Sequence, residues 1–444
     1  MHESPVSTEQ VAAERPRGSR SALLIVFLVV VVDLLGFGIV LPLLPITGDE
    51  YVKTLVGNRP DAERWTGAVT GLLMASFSAM QFFFAPMWGR VSDRVGRRPV
   101  LLVGLVGSVA FYSLFGYAAG VPPEQAAGTA LALLFVARLG AGLSGATIST
   151  AQAVIADSTT PEKRKHGMAI IGAAFGIAFT FGPLLGALAL KLAPSTRVAT
   201  SYTGYVASGL SFIALLMAIA LLPETRTAGA PSTARRTWID MSAWKFAFSS
   251  AAIAPVILIF FLATLGFGGF ETTLAMLLRD VVHLDKDRSY LIFAYVGFVL
   301  VLVQGFLYRR LAGKLSEPTF ITIGIVCMAL GMLAGGGLIW FAYVQADMSF
   351  AEQLAILLVG LAIAVVGFAF VTPSAQALVS RRTSPERQGE ILGVNQSAAA
   401  MARILGPILF LALYKLHSSH ALPYLVGASL LLLMLPLIPR IRRG

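Results

Sequence analysis

Residues 21–45 read SALLIVFLVVVVDLLGFGIVLPLLP, an apolar run interrupted by a single charge, Asp33. About 20 apolar residues in a helix cross roughly 30 Å of hydrocarbon, so this run is long enough to span a bilayer. It exceeds the apolar core of a signal peptide and has no convincing cleavage site, which makes it a retained span. Outward from it, apolar runs between charged punctuation predict spans near 64–88, 99–120, 127–156, 166–190 and 200–222. A second set follows near 247–278, 288–310, 318–343, 352–379, 389–414 and 420–438. The predicted fold class is an all-α membrane protein of twelve transmembrane helices. Composition agrees: 56% of residues are hydrophobic and 13% charged, with a mean hydropathy of +0.77, whereas soluble domains carry about 25% charged residues.

A formal charge of +11 could signal nucleic acid, but the placement of the Lys and Arg residues excludes it. They cluster between spans and on alternate sides: Arg15, Arg17 and Arg20; Arg90 to Arg98; Lys163 to Lys165; Arg226, Arg235, Arg236 and Lys245; Arg309, Arg310 and Lys314; Arg381, Arg382 and Arg387; Arg440 to Arg443. The opposite loops hold fewer, among them Lys53, Arg279 and Lys415. The positive-inside rule then places both termini in the cytoplasm, with anionic lipid as the basic residues' partner. The single cysteine, Cys327, excludes an intramolecular disulfide.

The two sets of spans realign at one offset, 224 residues. Ala151-Gln152-Ala153-Val154 meets Ala375-Gln376-Ala377-Leu378, Gly182-Pro183 meets Gly406-Pro407, and Gly89-Arg90-Val91-Ser92-Asp93 meets Gly313-Lys314-Leu315-Ser316-Glu317. The predicted organisation is a cytoplasmic tail (1–20), a six-helix half (21–223), a cytoplasmic linker (224–246), a second six-helix half (247–438) and a short cytoplasmic tail (439–444).

Three sets of residues stand out against this background. The loop GRVSDRVGRRP (89–99) combines Gly89 and Gly96 with Asp93, Arg94, Arg97 and Arg98. As an arbitrary sequence it would be a basic loop on the cytoplasmic side. Asp33 and Arg138 are charges inside spans, where ionised groups cost at least ~2.5 kcal/mol and need a partner. At 1.5 Å per residue, each lies ~18 Å from one end of its helix, so their depths differ by about one turn. A pair at that depth could be a proton switch or a static bridge that fixes packing. The fifth span carries Gly172, Gly176, Gly182, Pro183 and Gly186, a pattern for close helix packing and a kink.

These residues carry a resemblance. The 89–99 loop resembles the signature between spans two and three of the major facilitator superfamily, and two parallel six-helix repeats resemble its plan. MQFFFAPMWGRVSDRVGRRPVLLVG (80–104) and the Asp33 span with Pro42 and Pro45 resemble the tetracycline-resistance exporters of its drug:proton antiporter branch. The resemblance implies a latch role for Asp93, Arg94 and Arg97 favouring the outward-facing state. It also implies proton transfer at Arg138 with Gly142, although Ala141 stands where many members have Gln. Gly182-Pro183 and Gly186 resemble the fifth-span signature of exporters, with Ala178 and Ala187 at positions that are usually Gly.

Glu271 in the seventh span is a second proton site, a contact for a cationic substrate, or a carboxylate at a watery mouth. Arg403 in the eleventh span is an anion contact or a bridge between halves, or is paired with Glu271 or a carbonyl. Gln81, Gln304, Asn395 and Gln396 are candidate cavity residues, with Phe82, Phe83, Phe84, Phe267 and Phe270 as aromatic surface. There is no Walker A string, metal-ligand spacing or hydrolase nucleophile elbow, so neither ATP, a cofactor nor enzyme activity is expected. The expected function is proton-coupled export of a drug-like or amphipathic small molecule from a bacterial cell, across the inner membrane, by a monomer. The alternatives are transport of a physiological metabolite or siderophore, including by symport, and a non-transporting membrane sensor.

Overall fold

The computed structural model describes residues 19–159, 164–195, 198–225, 241–344, 348–384 and 387–443. The tail through residue 18, residues 160–163 with Lys163, and linker residues 226–240 with Arg235 and Arg236 lie outside them. Among the described residues every regular element is helical, as hydrocarbon demands of a chain whose backbone groups must pair internally. The first six spans comprise α1 (Ser19–Val40), a short α2 (Leu44–Val56), α3 (Ala62–Val95), α4 (Arg97–Ala119), α5 (Pro123–Gly145) continued by α6 (Ile148–Asp157), α7 (Arg164–Leu192) and α8 (Ala199–Leu221). After α9 (Met241–Ser249) come α10 (Ala254–Asp280), α11 (Lys286–Leu302) continued by a π-helical turn (Val303–Tyr308) and α12 (Arg309–Leu311), and α13 (Glu317–Val344). α14 (Phe350–Arg381), α15 (Gln388–Leu416) and α16 (Leu422–Leu432) with α17 (Ile438–Arg443) complete the chain. Twelve of these helices, counting continued ones once, are long and apolar enough to cross a membrane.

The first span is shorter than its apolar run. Pro42 has no N–H to continue the ladder, so α1 ends at Val40 and the chain turns before α2 starts beside Pro45. The Leu43 amide bonds to Val40 (3.3 Å), which leaves the Ile39 carbonyl free of its helical partner. The sequence reading of 89–99 as a loop also changes: α3 runs through Gly89 to Val95, only Gly96 breaks it, and α4 starts at Arg97. Gly96 has φ +109°, in the region open to glycine, and a Cβ there would lie 2.4 Å from Oε2 of Glu224. A Cβ on Gly89 would meet nothing closer than 3.9 Å, so close approach does not explain Gly89 in this state.

Among the described residues two extensive helix pairs join the first six spans to the last six, α3 with α15 and α7 with α11, and a smaller contact joins α2 to α10. At the face opposite the termini the two extensive pairs are tight. A Cβ on Gly67 or Gly71 would strike the α15 backbone at 2.7 and 2.8 Å, and one on Gly186 would strike the Tyr290 ring at 2.3 Å. Toward the face carrying the chain termini, Gly305 and Gly393 meet nothing within 4 Å. The molecule is thus closed at one face, here called the far face, and open toward the terminal face.

Gly96→Ala combines a left-handed backbone with a side-chain clash. It is expected to destabilise the protein by about 1–3 kcal/mol, read as a lowered thermal midpoint in detergent; an unchanged midpoint would contradict the assigned geometry.

Candidate functional site

The far face is closed around one carboxylate. Asp49 on α2 is 1% exposed, and its oxygens meet Lys415 Nζ of α15 at 2.8 Å and Arg279 Nη2 of α10 at 2.7 Å. Lys415, itself 2% exposed, also reaches Glu63 at the start of α3 (3.2 Å), and Lys286 approaches Glu50 (3.8 Å). Each of these pairs joins the first six spans to the last six. Asp280 orients Arg279 (2.7 Å) and accepts from the Tyr414 hydroxyl (3.3 Å). Burial pushes the Asp49 carboxyl up, but the charges of Lys415, Arg279 and Lys53 outweigh burial and hold it below the ordinary carboxylate range. Next to it the Tyr51 hydroxyl is pushed up to about 12 by burial and by the Glu50 charge. It therefore stays a donor, and bonds to the Ala118 and Val121 carbonyls pin α2 to the end of α4.

Tyr290 on α11 forms the second closure. Its ring fills the space left by Gly186 on α7, and its hydroxyl donates 2.5 Å to the Ile39 carbonyl, which the Leu43 amide leaves free by bonding to Val40. Gly182 lies against Gly38 of α1, where a Cβ would be 2.8 Å from the Gly38 Cα. The residues from Gly182 through Pro183 to Gly186 thus present one smooth face to α1 and α11.

Inside the first six spans a cavity of about 40 Å³ is lined by Asp33, Gln81, Ser108, Tyr112 and Thr147 among others, room for two or three waters at roughly 10–15 Å³ each. Asp33 accepts from Ser211 of α8 (3.5 Å) and bonds to Ser108 of α4, while Gln81 donates to the Gly145 carbonyl (3.4 Å). The expected Asp33–Arg138 pair is not formed here. Arg138 is 3% exposed and lies over the Phe77 ring (4.6 Å) and the Phe37 ring (5.9 Å). Its Nε and Nη1 have no hydrogen-bond partner. The depth argument holds, since Phe37 stands one turn beyond Asp33 on the same face of α1. The direction differs: Gly142 brings α5 so close to α3 that Arg138 meets the Phe77 ring. Tyr112 lies within electrostatic reach of both charges.

The basic segment after α3 is bound inside the first six spans. Arg97 bridges Asp93 (2.5 Å) and Asp157 at the end of α6 (3.1 Å). Glu224 receives the backbone N–H groups of Arg97 and Arg98 at 2.9 and 3.1 Å, a carboxylate on a helix N-terminus. Arg98 also bonds to the Ile219 carbonyl (2.6 Å), and Arg94 is exposed. The 224-residue offset maps Asp93 to Glu317 and Asp157 to Arg381. In the second half these two pair directly, so no counterpart of Arg97 is needed.

Of the remaining candidates, Glu271 is half-buried on α10, Gln304 sits in the π-helical turn, and Gln396 and Arg403 are exposed on α15. Asn395 corrects the sequence reading: it is fully buried on the side of α15 that meets α10, with neither amide atom hydrogen-bonded, and does not line an open surface. Phe267 stacks on Phe368 (4.0 Å) and Phe270 meets Tyr424 edge-on (5.8 Å), both in the core. Asp49, Glu63, Arg279, Lys415 and Tyr290 were missed by sequence reasoning, because charges at span ends read as ordinary loop charges. The only signal was that Asp49 and Glu50 follow Pro45 immediately beyond a span.

Asp49→Asn leaves Lys415 and Arg279 without their shared counter-charge and is expected to cost about 3–5 kcal/mol of far-face closure. With Leu411→Cys as reporter in a Cys327→Ser background, labelling by a membrane-impermeant maleimide should rise several-fold; unchanged labelling would count against the closure. Because the closed state depresses the Asp49 pKa, its contribution is complete above the open-state value near ~3.9 and is lost as pH falls through the depressed value. Wild-type labelling should therefore stay low from neutral pH down to about 4.

Similarity to known proteins accords with this architecture. A tetracycline resistance protein, class C, of Escherichia coli is 29% identical over 431 residues, covering 95% of this chain and 97% of that one. Major facilitator superfamily domain-containing protein 10 of Mus musculus is 28% identical over 440 residues, covering 91% and 90%. The crystal structure of the human organic anion transporter MFSD10 superposes with a TM-score of 0.63 at 26% identity, covering 95% of this chain and 99% of that one. A D-xylose-proton symporter shares the fold, with a TM-score of 0.73 at 17% identity over 96% and 99%. The Major Facilitator Superfamily sequence profile matches residues 26–356 and 336–444, and the chain, a membrane transporter and not an enzyme, belongs to that superfamily.

Proposed function

We propose that this transporter exports a drug-like or amphipathic small molecule in exchange for protons, by alternating access. The observation that carries the reading is a carboxylate, Asp33, held by serines at a small, mostly apolar cavity while a buried arginine nearby has two guanidinium nitrogens without a hydrogen-bond partner. Ionised Asp33 is drawn toward Arg138; protonated Asp33 is released to Ser108 and Ser211. Exchange between these partners changes the packing of α1 against α4, α5 and α8, and α1 is also the helix whose Ile39 carbonyl holds Tyr290. The positive-inside pattern supports a cytoplasmic terminal face, and on that reading the present state is inward-open. Resemblance to tetracycline resistance proteins supports export, and Asp93, Arg94, Arg97 and Arg98 would serve as the latch when the cytoplasmic face closes.

The second reading is transport of a physiological metabolite or siderophore, including uptake by symport; Ala178 and Ala187, at positions that are usually glycine in the exporter signature, weaken the support for antiport. In proteoliposomes, opposite pH gradients distinguish the two by the direction of substrate flux. Tetracycline serves as the first probe. Asp33→Asn should abolish flux driven by a pH gradient while leaving the protein folded and membrane-inserted; full retained coupling would overturn the proposed role.

A further inference from the structure

Two charges at membrane depth are left without a protein partner. Among the described residues neither Glu271 on α10 nor Arg403 on α15 makes a hydrogen bond or ion pair. Their directions follow from helix geometry. On α15, Met401, Leu405, Leu409 and Leu416 form one exposed apolar strip, the surface expected against lipid. At about 100° per residue, Arg403 and Gln396 fall on the opposite side of the helix, yet both are exposed. That second strip lies between the side that meets α3 and the side that meets α10, which is the space between the two sets of six spans. On α10, Phe267, Gly269 and Phe270 are buried against other helices, whereas a Cβ on Gly268, close to Glu271 on the helix surface, would meet nothing within 4 Å. Glu271 therefore faces the same space.

The vertical separation is fixed by the α10–α15 contact. A Cβ on Gly406 would lie between the Leu265 carbonyl (2.8 Å) and the Gly269 nitrogen (3.1 Å), which sets Gly406 about level with residue 267, and one on Gly269 would meet the Phe410 ring at 2.2 Å. This register sets Glu271 level with residue 410, about seven residues beyond Arg403, or about 10 Å along the axis. An intramembrane charge with no partner in the protein is expected to find one in its ligand. An unpaired anion and an unpaired cation about 10 Å apart on one wall describe a ligand carrying both charges, reversed in order.

We infer that the transported molecule is zwitterionic, with a cationic amine that docks at Glu271 and an anionic group that docks at Arg403. Gln396, nearly two turns further toward the terminal face on the same strip, lies where the molecule enters. The inference rests on the proposed export reading for the location of the substrate path, but not on proton coupling. Glu271 thereby serves as a substrate contact in place of a second proton site, while Asp33 keeps the proton role.

Three forms of one rigid skeleton test it: ciprofloxacin, which carries a piperazinium and a carboxylate at opposite ends; its ethyl ester, which keeps only the cation; and its N-acetyl derivative, which keeps only the anion. Equilibrium binding to purified full-length protein should favour ciprofloxacin over each single-charge form by about 10-fold or more. Glu271→Gln should erase the preference over the N-acetyl form alone, and Arg403→Gln the preference over the ester alone. Thermal midpoints of both variants check that they remain folded. Equal binding of the three forms, no binding of any, or a uniform loss in both variants would overturn the inference. Asp33→Asn should retain the charge preference. If the wild type shows the preference but no flux driven by a pH gradient, the coupling proposal fails and this one stands.

Discussion

A carboxylate that is 1% exposed stays ionised only with cations in contact, and the shortest contacts to Asp49 come from the other six spans. Closure of the far face is therefore an electrostatic bond between the halves. The apolar surfaces of α3 and α15, or of α7 and α11, could slide or separate in lipid at little cost, because lipid tails are as apolar as the side chains they would replace. Burial of Asp49 with Lys415 and Arg279 is different: opening must hydrate three charges together. The glycines at 67, 71 and 186 let backbones approach closely enough for those charges to come into direct contact. Tyr290 adds a directional bond to the Ile39 carbonyl, left free where α1 ends.

Rigidity at the far face contrasts with the terminal face, where the Arg97 pairs lie within the first half and the Glu317–Arg381 pair within the second. Arg97 links three segments of the first half through Asp93, Asp157 and its own backbone on Glu224. Glu317 and Arg381 do the same work in the second half with one contact. Each half is thus braced on its own side, which allows it to move as a body while the contacts between halves exchange. The π-helical turn at Val303–Tyr308 sits at the point on α11 where tight contact with α7 gives way to open space, and carries Gln304 with it.

The helix count and the motif positions were legible in the sequence because hydrocarbon imposes a length and a composition on every span. Gly182, Pro183 and Gly186 were legible for the same reason: small residues in a span have few uses besides close approach. The end of α1 was readable in principle from Pro42. The Asp33 and Arg138 depths also followed from counting residues, but their partners did not, because which way a side chain turns depends on neighbours supplied by Gly142 and Phe77. Asn395 was misplaced for a related reason, since a polar residue in a span says nothing about azimuth until its helix neighbours are known. The Asp49 cluster was least visible: its members come from α2, α3, α10 and α15, and each alone is an ordinary charge at a span end.

Alternating access requires the two faces to move in opposition. Spin labels at Thr54 and Arg288 report the far face, and labels at Val95 and Lys314 the terminal face, in a Cys327→Ser background reconstituted in nanodiscs. When Asp49→Asn removes the bond between halves, the Thr54–Arg288 distance should lengthen and the Val95–Lys314 distance should shorten in the same sample. Lengthening at the far face with no change at the terminal face would contradict a two-state rocking transporter.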